Sequence, residues 1–375
     1  MDSKDSILKE FDFYHGFLPR EDLFCLLKYV GEFLIRVSEV DNDPHLKGKR
    51  EIILSVVCDC PPGELSRVQA NDHNKDDDDA RKGYDKKVRG KISFVLKYPI
   101  KQQSWEYNHS DVQTGKLLGE GAFGEVRAGT LKLKSGKSVN VAIKVTKGCS
   151  DLGKAKIKEM MKEARLMRNF RHRNVVRIYG VAVDEQPLYI ILELVSGGAL
   201  NTFLKENANK VEVKDKLDMC LGAALGVEYL HVNQCMHRDL AARNCLITNE
   251  RVVKISDFGL SRLGTNYKLK TAMKLPIKWL APETITTFTF SLKTDVFSFG
   301  VLVYEIFADG AEPWDGQTNA EVKVAVIAGK CVTFPPCTPE KLKKFFVEKV
   351  FAKNPAHRAS MTEVRLMTLT NVCYL

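Results

Sequence analysis

Residues 237 to 246 read HRDLAARNCL, in which a carboxylate, Asp239, is followed after four spacer residues by an amide, Asn244. An acid and an amide in this order suit either a solvated loop or the centre of an active site. A second stretch bears on the choice. Gly119-Glu120-Gly121-Ala122-Phe123-Gly124-Glu125-Val126 is a G-x-G-x-x-G-x-V loop. Its glycines allow a tight turn and let backbone N–H groups approach phosphate oxygens with no Cβ in the way. In a dinucleotide fingerprint such glycines open a helix, whereas residues 125 to 129 here continue as strand. A third stretch, Val141-Ala142-Ile143-Lys144, sets a lysine on an otherwise apolar strand, where its ammonium needs a partner. Glu163 lies on the helix face of Met160 and Met167 and is expected to point inward to Lys144, holding the ammonium for the α- and β-phosphates of a nucleotide.

The elements that must position these groups follow from periodicity. Residues 112 to 131 and 138 to 146 read as strands. A helix is expected from Lys154 to Arg171, because Ile157, Met160, Met161, Ala164 and Met167 recur at spacings of three and four. Beyond residue 197 most periodic segments are helical. A β-rich small lobe ahead of a larger helical lobe is therefore expected, with a ligand cleft where the two meet. Two composition breaks precede them. Residues 71 to 91 form a charged insertion with the acidic run Asp76 to Asp79, and 101 to 111 read as a linker.

A chain of 375 residues with 44% hydrophobic and 28% charged residues is a globular protein of two or three domains. Its net charge of +10 is too moderate to point to nucleic acid, which is not expected as a partner. The ten cysteines are scattered, and the one close pair, Cys58 and Cys60, has no matching second pair, so neither a zinc site nor a disulfide framework is expected. The charged start, the absence of a long apolar run, Asp2 where myristoylation needs glycine, and Cys373 third from the end predict an intracellular chain without signal, span or lipid anchor.

His237-Arg238-Asp239-Leu240 with Asn244, then Asp257-Phe258-Gly259, then Ala281-Pro282-Glu283, together with the glycine loop and the strand lysine, resemble the eukaryotic protein kinase family from about residue 112 to 370. The resemblance implies a bilobal α+β fold, ATP as cofactor and Mg2+ or Mn2+ beside it. It implies that Asp239 accepts the proton of the attacking hydroxyl and that Asn244 and Asp257 hold the metal. Lys144 and Glu163 take the family's ion-pair positions. Leu118, Val126, Ala142 and Leu246 would enclose adenine, with backbone groups of Glu193 and Val195 bonded to it and residues 119 to 125 over the phosphates. Glu283 is expected to pair with Arg358 as a structural ion pair.

Ser/Thr kinases usually place a lysine two residues after the catalytic Asp. Ala241 leaves that position empty and Arg243 supplies a cation two residues later, a form that resembles tyrosine kinases. Pro276-Ile277-Lys278-Trp279 resembles their substrate shelf. A phenol reaches farther than a serine hydroxyl, so cation and shelf must both be shifted, and protein tyrosine is the expected substrate. Tyr267, between Asp-Phe-Gly and Ala-Pro-Glu, is the expected autophosphorylation site, its phosphate ordered by cations such as Arg238 or Arg262.

Ahead of the kinase-like part, FYHGFLPREDL and FLIRVSE resemble the first half of an SH2 domain, assigned to residues 10 to 100. Arg36 sits mid-strand among apolar residues, where bidentate bonds to a phosphate explain a guanidinium. Arg20 and Ser38 occupy the helper positions, and phosphotyrosine proteins are the implied partners. The second half is irregular: Asp41 and Asp43 oppose an anion, and Ser93 falls where histidine is common. The order of the two parts and the run SWEYNHSDVQTGKLLGEGAFGEV resemble the Fes/Fer group of non-receptor tyrosine kinases. That group implies a cytoplasmic signalling enzyme recruited peripherally to the plasma membrane or cell junctions. Rival readings are a pseudokinase scaffold, a Ser/Thr or dual-specificity kinase and a phosphotyrosine adaptor. The first loses its usual sign, since Lys144, Asp239 and Asp257 are all present. Phe297 and Phe351 stand where Trp is common, which is a packing change.

Overall fold

The computed structural model describes residues 7–39, 50–57, 96–121, 124–146, 154–269 and 275–373. The charged insertion 71 to 91, Cys58, Cys60, Asp41, Asp43, Ser93, Ala122 and Phe123 lie outside the described residues. The chain divides into two compact units, Met1–Ala164 with Tyr179–Leu192, and Arg165–Ile178 with Glu193–Leu375.

In the first unit a helix α1 (Arg20–Leu26) precedes β1 (Glu32–Glu39), β2 (Arg50–Val56) and β3 (Tyr98–Pro99). β1 is the centre of this three-stranded sheet, antiparallel to β2 and parallel to β3. The strands β4 (Glu106–Tyr107), β5 (Val112–Gly121), β6 (Gly124–Lys132) and β7 (Ser138–Thr146) follow, then helix α2 (Lys154–Met167), β8 (Ile178–Ala182) and β9 (Tyr189–Glu193). They build a six-stranded sheet in the order β4-β8-β9-β7-β6-β5. β7 shows the period of two expected of a strand with one buried face: Val141, Ile143 and Val145 join the core with Tyr107, Leu131, Ala182 and Ile191, while Ala142 and Lys144 face the other way. α2 ends four residues before the expected Arg171 and buries Ile157, Met160, Met161 and Ala164.

The amino-terminal segment docks on this sheet within the same unit. Residues 101 to 111, expected as a linker, carry β4 and a 3-10 turn, His109–Asp111, whose capping box closes on Asn108. His15, 1% exposed, has acceptors on both ring nitrogens: Nδ1 lies 2.9 Å from Glu106 Oε2 and Nε2 lies 2.8 Å from the Ile100 carbonyl. Both ring nitrogens thus face oxygens, an arrangement that favours the doubly protonated ring. Burial pushes its pKa down, but the Glu106 bond and charge and the Ile100 carbonyl outweigh it and leave the group above its ordinary 6.5. Next to it Phe17 N–H donates to Val183 O at 2.8 Å. Gly16, with φ +56°, lets the chain pass where a Cβ would stand 2.2 Å from that same carbonyl. On the exposed side Lys158 of α2 pairs with Glu21 of α1 at 2.6 Å.

The second unit is mostly helical. Helices α3 (Leu200–Glu206) and α4 (Val213–Val232) come first. Six short strands follow in its middle: β10 (Cys235–Met236), β11 (Cys245–Ile247), β12 (Val253–Ile255), β13 (Arg262–Leu263), β14 (Asn266–Lys268) and, after α5 (Pro282–Thr287), β15 (Thr289–Ser291). They pair as three antiparallel ribbons, β10 with β13, β11 with β12 and β14 with β15. Helices α6 (Leu292–Phe307), α7 (Asn319–Ile327), α8 (Glu340–Phe345) and α9 (Met361–Cys373) complete it. α6 is apolar almost all round and correspondingly buried on nearly every face. Its start is set by Ser291, whose hydroxyl accepts from Lys293 and Thr294 N–H in a capping box. Phe297 and Phe351 meet edge to face at 5.1 Å, so two smaller rings fill this part of the core. Among the described residues no helix is long and apolar enough to cross a membrane.

Candidate active site

The first unit presents a lysine held in place. Lys144 Nζ lies 2.8 and 3.0 Å from the two carboxylate oxygens of Glu163, on α2. Glu163 is 8% exposed and lies three residues after Met160, so the turn of the helix that buries Met160 also turns the carboxylate inward. The strand pleat sets the other partners. Val126 is opposite Lys144 and Ala128 opposite Ala142 in the β6–β7 register, so Val126, Ala142 and Lys144 share one face. Leu118 on β5 is 46% exposed. β5 and β6 close with Gly121 opposite Gly124 and Glu120 opposite Glu125. Gly124 has φ +149°, which L side chains rarely adopt. Glu125 is engaged by Arg127, whose Nε lies 2.6 Å from Oε1.

The second unit carries the acid–amide loop. Asp239 Oδ1 accepts from Arg243 Nη2 at 2.5 Å, and Oδ2 accepts from Asn244 Nδ2 at 2.7 Å. Asn244 Nδ2 also donates to Asp239 O at 2.8 Å. The carboxylate is thereby gripped from both sides, with its side chain 19% exposed. The loop is anchored below. Asp295, in the first turn of α6, accepts from the N–H groups of His237 at 2.7 Å and Arg238 at 2.9 Å, and His231 Nε2 lies 3.1 Å from it. His237 Nε2 lies 2.9 Å from Ser256 O and its Nδ1 lies 3.3 Å from Asp239 N–H, which fixes the ring as the Nε2–H tautomer. Its ring meets Phe258 edge to face at 5.4 Å. Arg238 holds φ +71° and Asp257 φ +56°, values a side chain tolerates only when its surroundings impose them.

The residues expected to hold a metal fit one in chemistry. Among the described residues both hydrogen bonds of the Asn244 amide leave from its nitrogen, so its oxygen is the group with capacity to spare. Asp257 is exposed, and its Oδ1 takes the Gly259 N–H at 3.3 Å. An amide oxygen and a carboxylate are hard oxygen donors of the kind that suits a divalent cation.

Arg243 is also stacked. Its guanidinium carbon sits 4.3 Å from the centre of the Trp279 ring. Trp279 Nε1 donates to Glu305 Oε2 at 3.0 Å, and the Ala242 N–H donates to the same oxygen at 2.8 Å. Glu305 has no distinguishing local pattern in the sequence. Only its place in the apolar second half of α6 marks it. Burial pushes its carboxyl up to about 7, against the opposing pull of the Trp279 and Ala242 donors.

Of the remaining expected residues in this unit, Glu193 donates its N–H to Arg177 O at 2.8 Å and pairs its carboxylate with Lys254 at 2.9 Å. Val195 is buried, and Leu246 on β11 bridges to Ala199. Tyr267 on β14 lies opposite Phe290, with Arg262 4.0 Å and Arg238 4.7 Å from its ring. Burial, and then the charge of Arg262, lower the Arg238 pKa. Arg358 Nη1 and Nη2 bind Glu283 at 2.7 and 3.2 Å. In the first unit, Arg36 is 4% exposed, its Nε 3.3 Å from Ser55 Oγ, and Ser38 shares its strand face two residues on. Arg20 opens α1 and is half-buried.

The comparisons with known proteins give the family. The chain belongs to the protein tyrosine and serine/threonine kinase family, whose model matches residues 112–367. It is 36% identical over 373 residues to the tyrosine-protein kinase Fer of Homo sapiens, covering 96% of this chain and 43% of that protein. Fer-related kinase 1 of Caenorhabditis elegans is 34% identical over 372 residues, 95% of this chain and 93% of that one. The transforming protein Fps of Fujinami sarcoma virus, a tyrosine-protein kinase, is 35% identical over 366 residues, 94% and 40% respectively. The chain therefore spans less than half the length of Fer and Fps and nearly all of Fer-related kinase 1. The kinase family works with ATP and a divalent metal.

Proposed function

We propose that this chain is an ATP-dependent, non-receptor protein-tyrosine kinase that transfers the γ-phosphate of ATP to tyrosine hydroxyls of proteins. The observation that carries this reading is the Asp239 carboxylate held between Arg243 and Asn244, with Arg243 stacked on Trp279. In this reading Asp239 takes the phenol proton as the phenol oxygen bonds to the γ-phosphorus, and the bond to the β–γ bridging oxygen breaks to release ADP. Lys144, steadied by Glu163, pairs with the α- and β-phosphates, and the glycine-loop residues 119 to 125 are the further phosphate-binding residues of this reading. Leu118, Val126 and Ala142 of the first unit, and Glu193, Val195 and Leu246 of the second, are the adenine-binding residues in this reading. Asn244 and Asp257 would hold Mg2+ or Mn2+, which would supply charge to neutralise the phosphates.

Phosphate on Tyr267 would carry about −1.5 to −2 charges into a position flanked by Arg238 and Arg262, ordering the loop for substrate. The SH2-like residues 10 to 100 bind phosphotyrosine proteins through Arg36, Arg20 and Ser38 and direct the kinase to them. The enzyme works in the cytoplasm, with peripheral association at the plasma membrane or cell junctions. Incubation with Mg2+, labelled ATP and a Glu/Tyr copolymer tests the activity: phosphotyrosine is expected from the wild type and not from Asp239→Asn, and equal labelling by both would refute the role of Asp239.

A further inference from the structure

Glu305 is 4% exposed and lies in the last turns of α6, amid apolar neighbours. Burying a carboxyl there is costly unless its oxygens are engaged. The engagement is specific. A single oxygen, Oε2, accepts the Ala242 N–H at 2.8 Å and the Trp279 indole N–H at 3.0 Å. Ala242 is three residues past Asp239, in the loop that carries the proton acceptor. Trp279 ends the 3-10 turn Ile277–Trp279. One atom thus ties the catalytic loop to the shelf. The same helix holds the other end of the tryptophan, because Ser298 Oγ donates to Trp279 O at 2.8 Å.

The tie closes a circuit. Trp279, oriented from both ends by α6, offers its face to the Arg243 guanidinium at 4.3 Å, and Arg243 Nη2 reaches Asp239 Oδ1 at 2.5 Å. From Asp239 the backbone returns through Ala242 to Glu305. Loosening any link lets the stacked pair drift relative to the carboxylate. The two donors meet at one oxygen, and a neutral amide or carboxyl oxygen accepts N–H groups as a carboxylate does. Acceptor geometry is therefore the property in use, more than charge.

We propose that Glu305 is the positioning residue that sets the separation between Asp239 and the Arg243–Trp279 stack, and so selects a phenol over the shorter serine hydroxyl as phosphoryl acceptor. The inference rests on the protein-tyrosine kinase reading above. A displacement of about 1 Å at a reacting centre costs on the order of 100-fold in rate, so the effect of losing the tie is measurable.

The experiment uses the full chain with Glu305→Ala, Glu305→Gln and Trp279→Phe. For each, kcat and KM for a Glu/Tyr copolymer are set beside the rate of ATP hydrolysis without acceptor. In Glu305→Ala the ratio of tyrosine phosphorylation to ATP hydrolysis is expected to fall roughly 10- to 100-fold, with a raised copolymer KM. Glu305→Gln should restore that ratio to within about threefold of wild type, because its oxygen accepts both donors. Trp279→Phe keeps a ring under Arg243 but loses the indole N–H, and should raise the copolymer KM about three- to tenfold, as expected for one hydrogen bond. Equal loss of transfer and hydrolysis in Glu305→Ala, or a Gln variant as impaired as the Ala variant, would reduce Glu305 to a structural plug and overturn the proposal. Should Glu305→Ala fail to fold, an unchanged KM in Trp279→Phe would overturn it alone. A wild-type chain that labels serine in place of tyrosine would overturn the underlying function together with this inference.

Discussion

Arg358 offers the sharpest test of what holds the helical unit together. Its side chain is fully buried, and its guanidinium makes five hydrogen bonds. Two go to Glu283, one to the Lys293 carbonyl at 2.7 Å and two to the Ala352 carbonyl at 3.0 and 3.2 Å, with the Phe297 ring 5.3 Å from the guanidinium carbon. Arg358→Leu keeps much of the volume but strands a carboxylate and two carbonyls. Removing one partner of a buried ion pair costs about 3–5 kcal/mol. A domain is stable by only about 5–15 kcal/mol, so this change removes a large share. Arg358→Lys keeps the charge but not the fork that meets two carboxylate oxygens and two carbonyls together, and should cost about 1–3 kcal/mol. The double variant Glu283→Leu/Arg358→Leu should recover part of the single-variant loss, since no carboxylate is then stranded. Urea unfolding followed by tryptophan fluorescence measures all three, with Trp279 and Trp314 reporting from this unit. A loss below about 1 kcal/mol for Arg358→Leu would refute the reasoning and show that Glu283 finds water or another partner at little cost.

Glu163→Gln removes the charge that steadies Lys144, a loss of about 1.5–3 kcal/mol or roughly 10- to 100-fold in kcat/KM for ATP, and steady-state kinetics with unchanged values would contradict the pairing. The docked amino-terminal segment should depend on pH. His15 has its pKa raised in the folded chain, so its contribution is fully present below pH 6.5 and is lost as pH rises through the higher folded value. Hydrogen exchange at Phe17 should therefore quicken beyond the intrinsic trend as pH rises from 6 through the raised folded value, and a His15→Gln variant should lose that excess. Tyr267→Phe should remove the rise in activity that follows preincubation with ATP, about tenfold if one or two charge-assisted bonds to Arg238 or Arg262 are forgone; an undiminished rise would place activation elsewhere. Arg36→Ala should weaken binding of a phosphotyrosine peptide about 10- to 100-fold in fluorescence anisotropy, and a wild-type chain that binds none would end that part of the proposal.

How far this architecture can be read from residues alone depends on range. The buried face of α2 was legible because Ile157, Met160, Met161 and Ala164 repeat at helical spacing, and the faces of β7 because Val141, Ile143 and Val145 alternate. These are local signals. The pairing of Glu283 with Arg358 was legible only because the kinase resemblance supplied the long-range partner. Glu305 was not, since nothing near it in sequence announces a bond to Ala242 or Trp279. The same holds for β4. Two residues carry no periodicity, and a polar stretch reads as a linker until Glu106 is seen to face His15 and β4 to pair with β8. The end of α2 at Met167 shows the other limit, where the apolar spacing alone extended the helix four residues too far.

Phosphoryl transfer to a phenol in front of Asp239 is the central proposal for this chain. Two peptides identical except for Tyr or Ser at the acceptor position, incubated with the full chain, ATP and Mg2+, test it most directly by the ratio of their kcat/KM values. Transfer to the tyrosine peptide is expected to be at least about 100-fold faster, and to fall at least about 100-fold with Asp239→Asn. Comparable transfer to serine, or tyrosine transfer that survives Asp239→Asn, would contradict it.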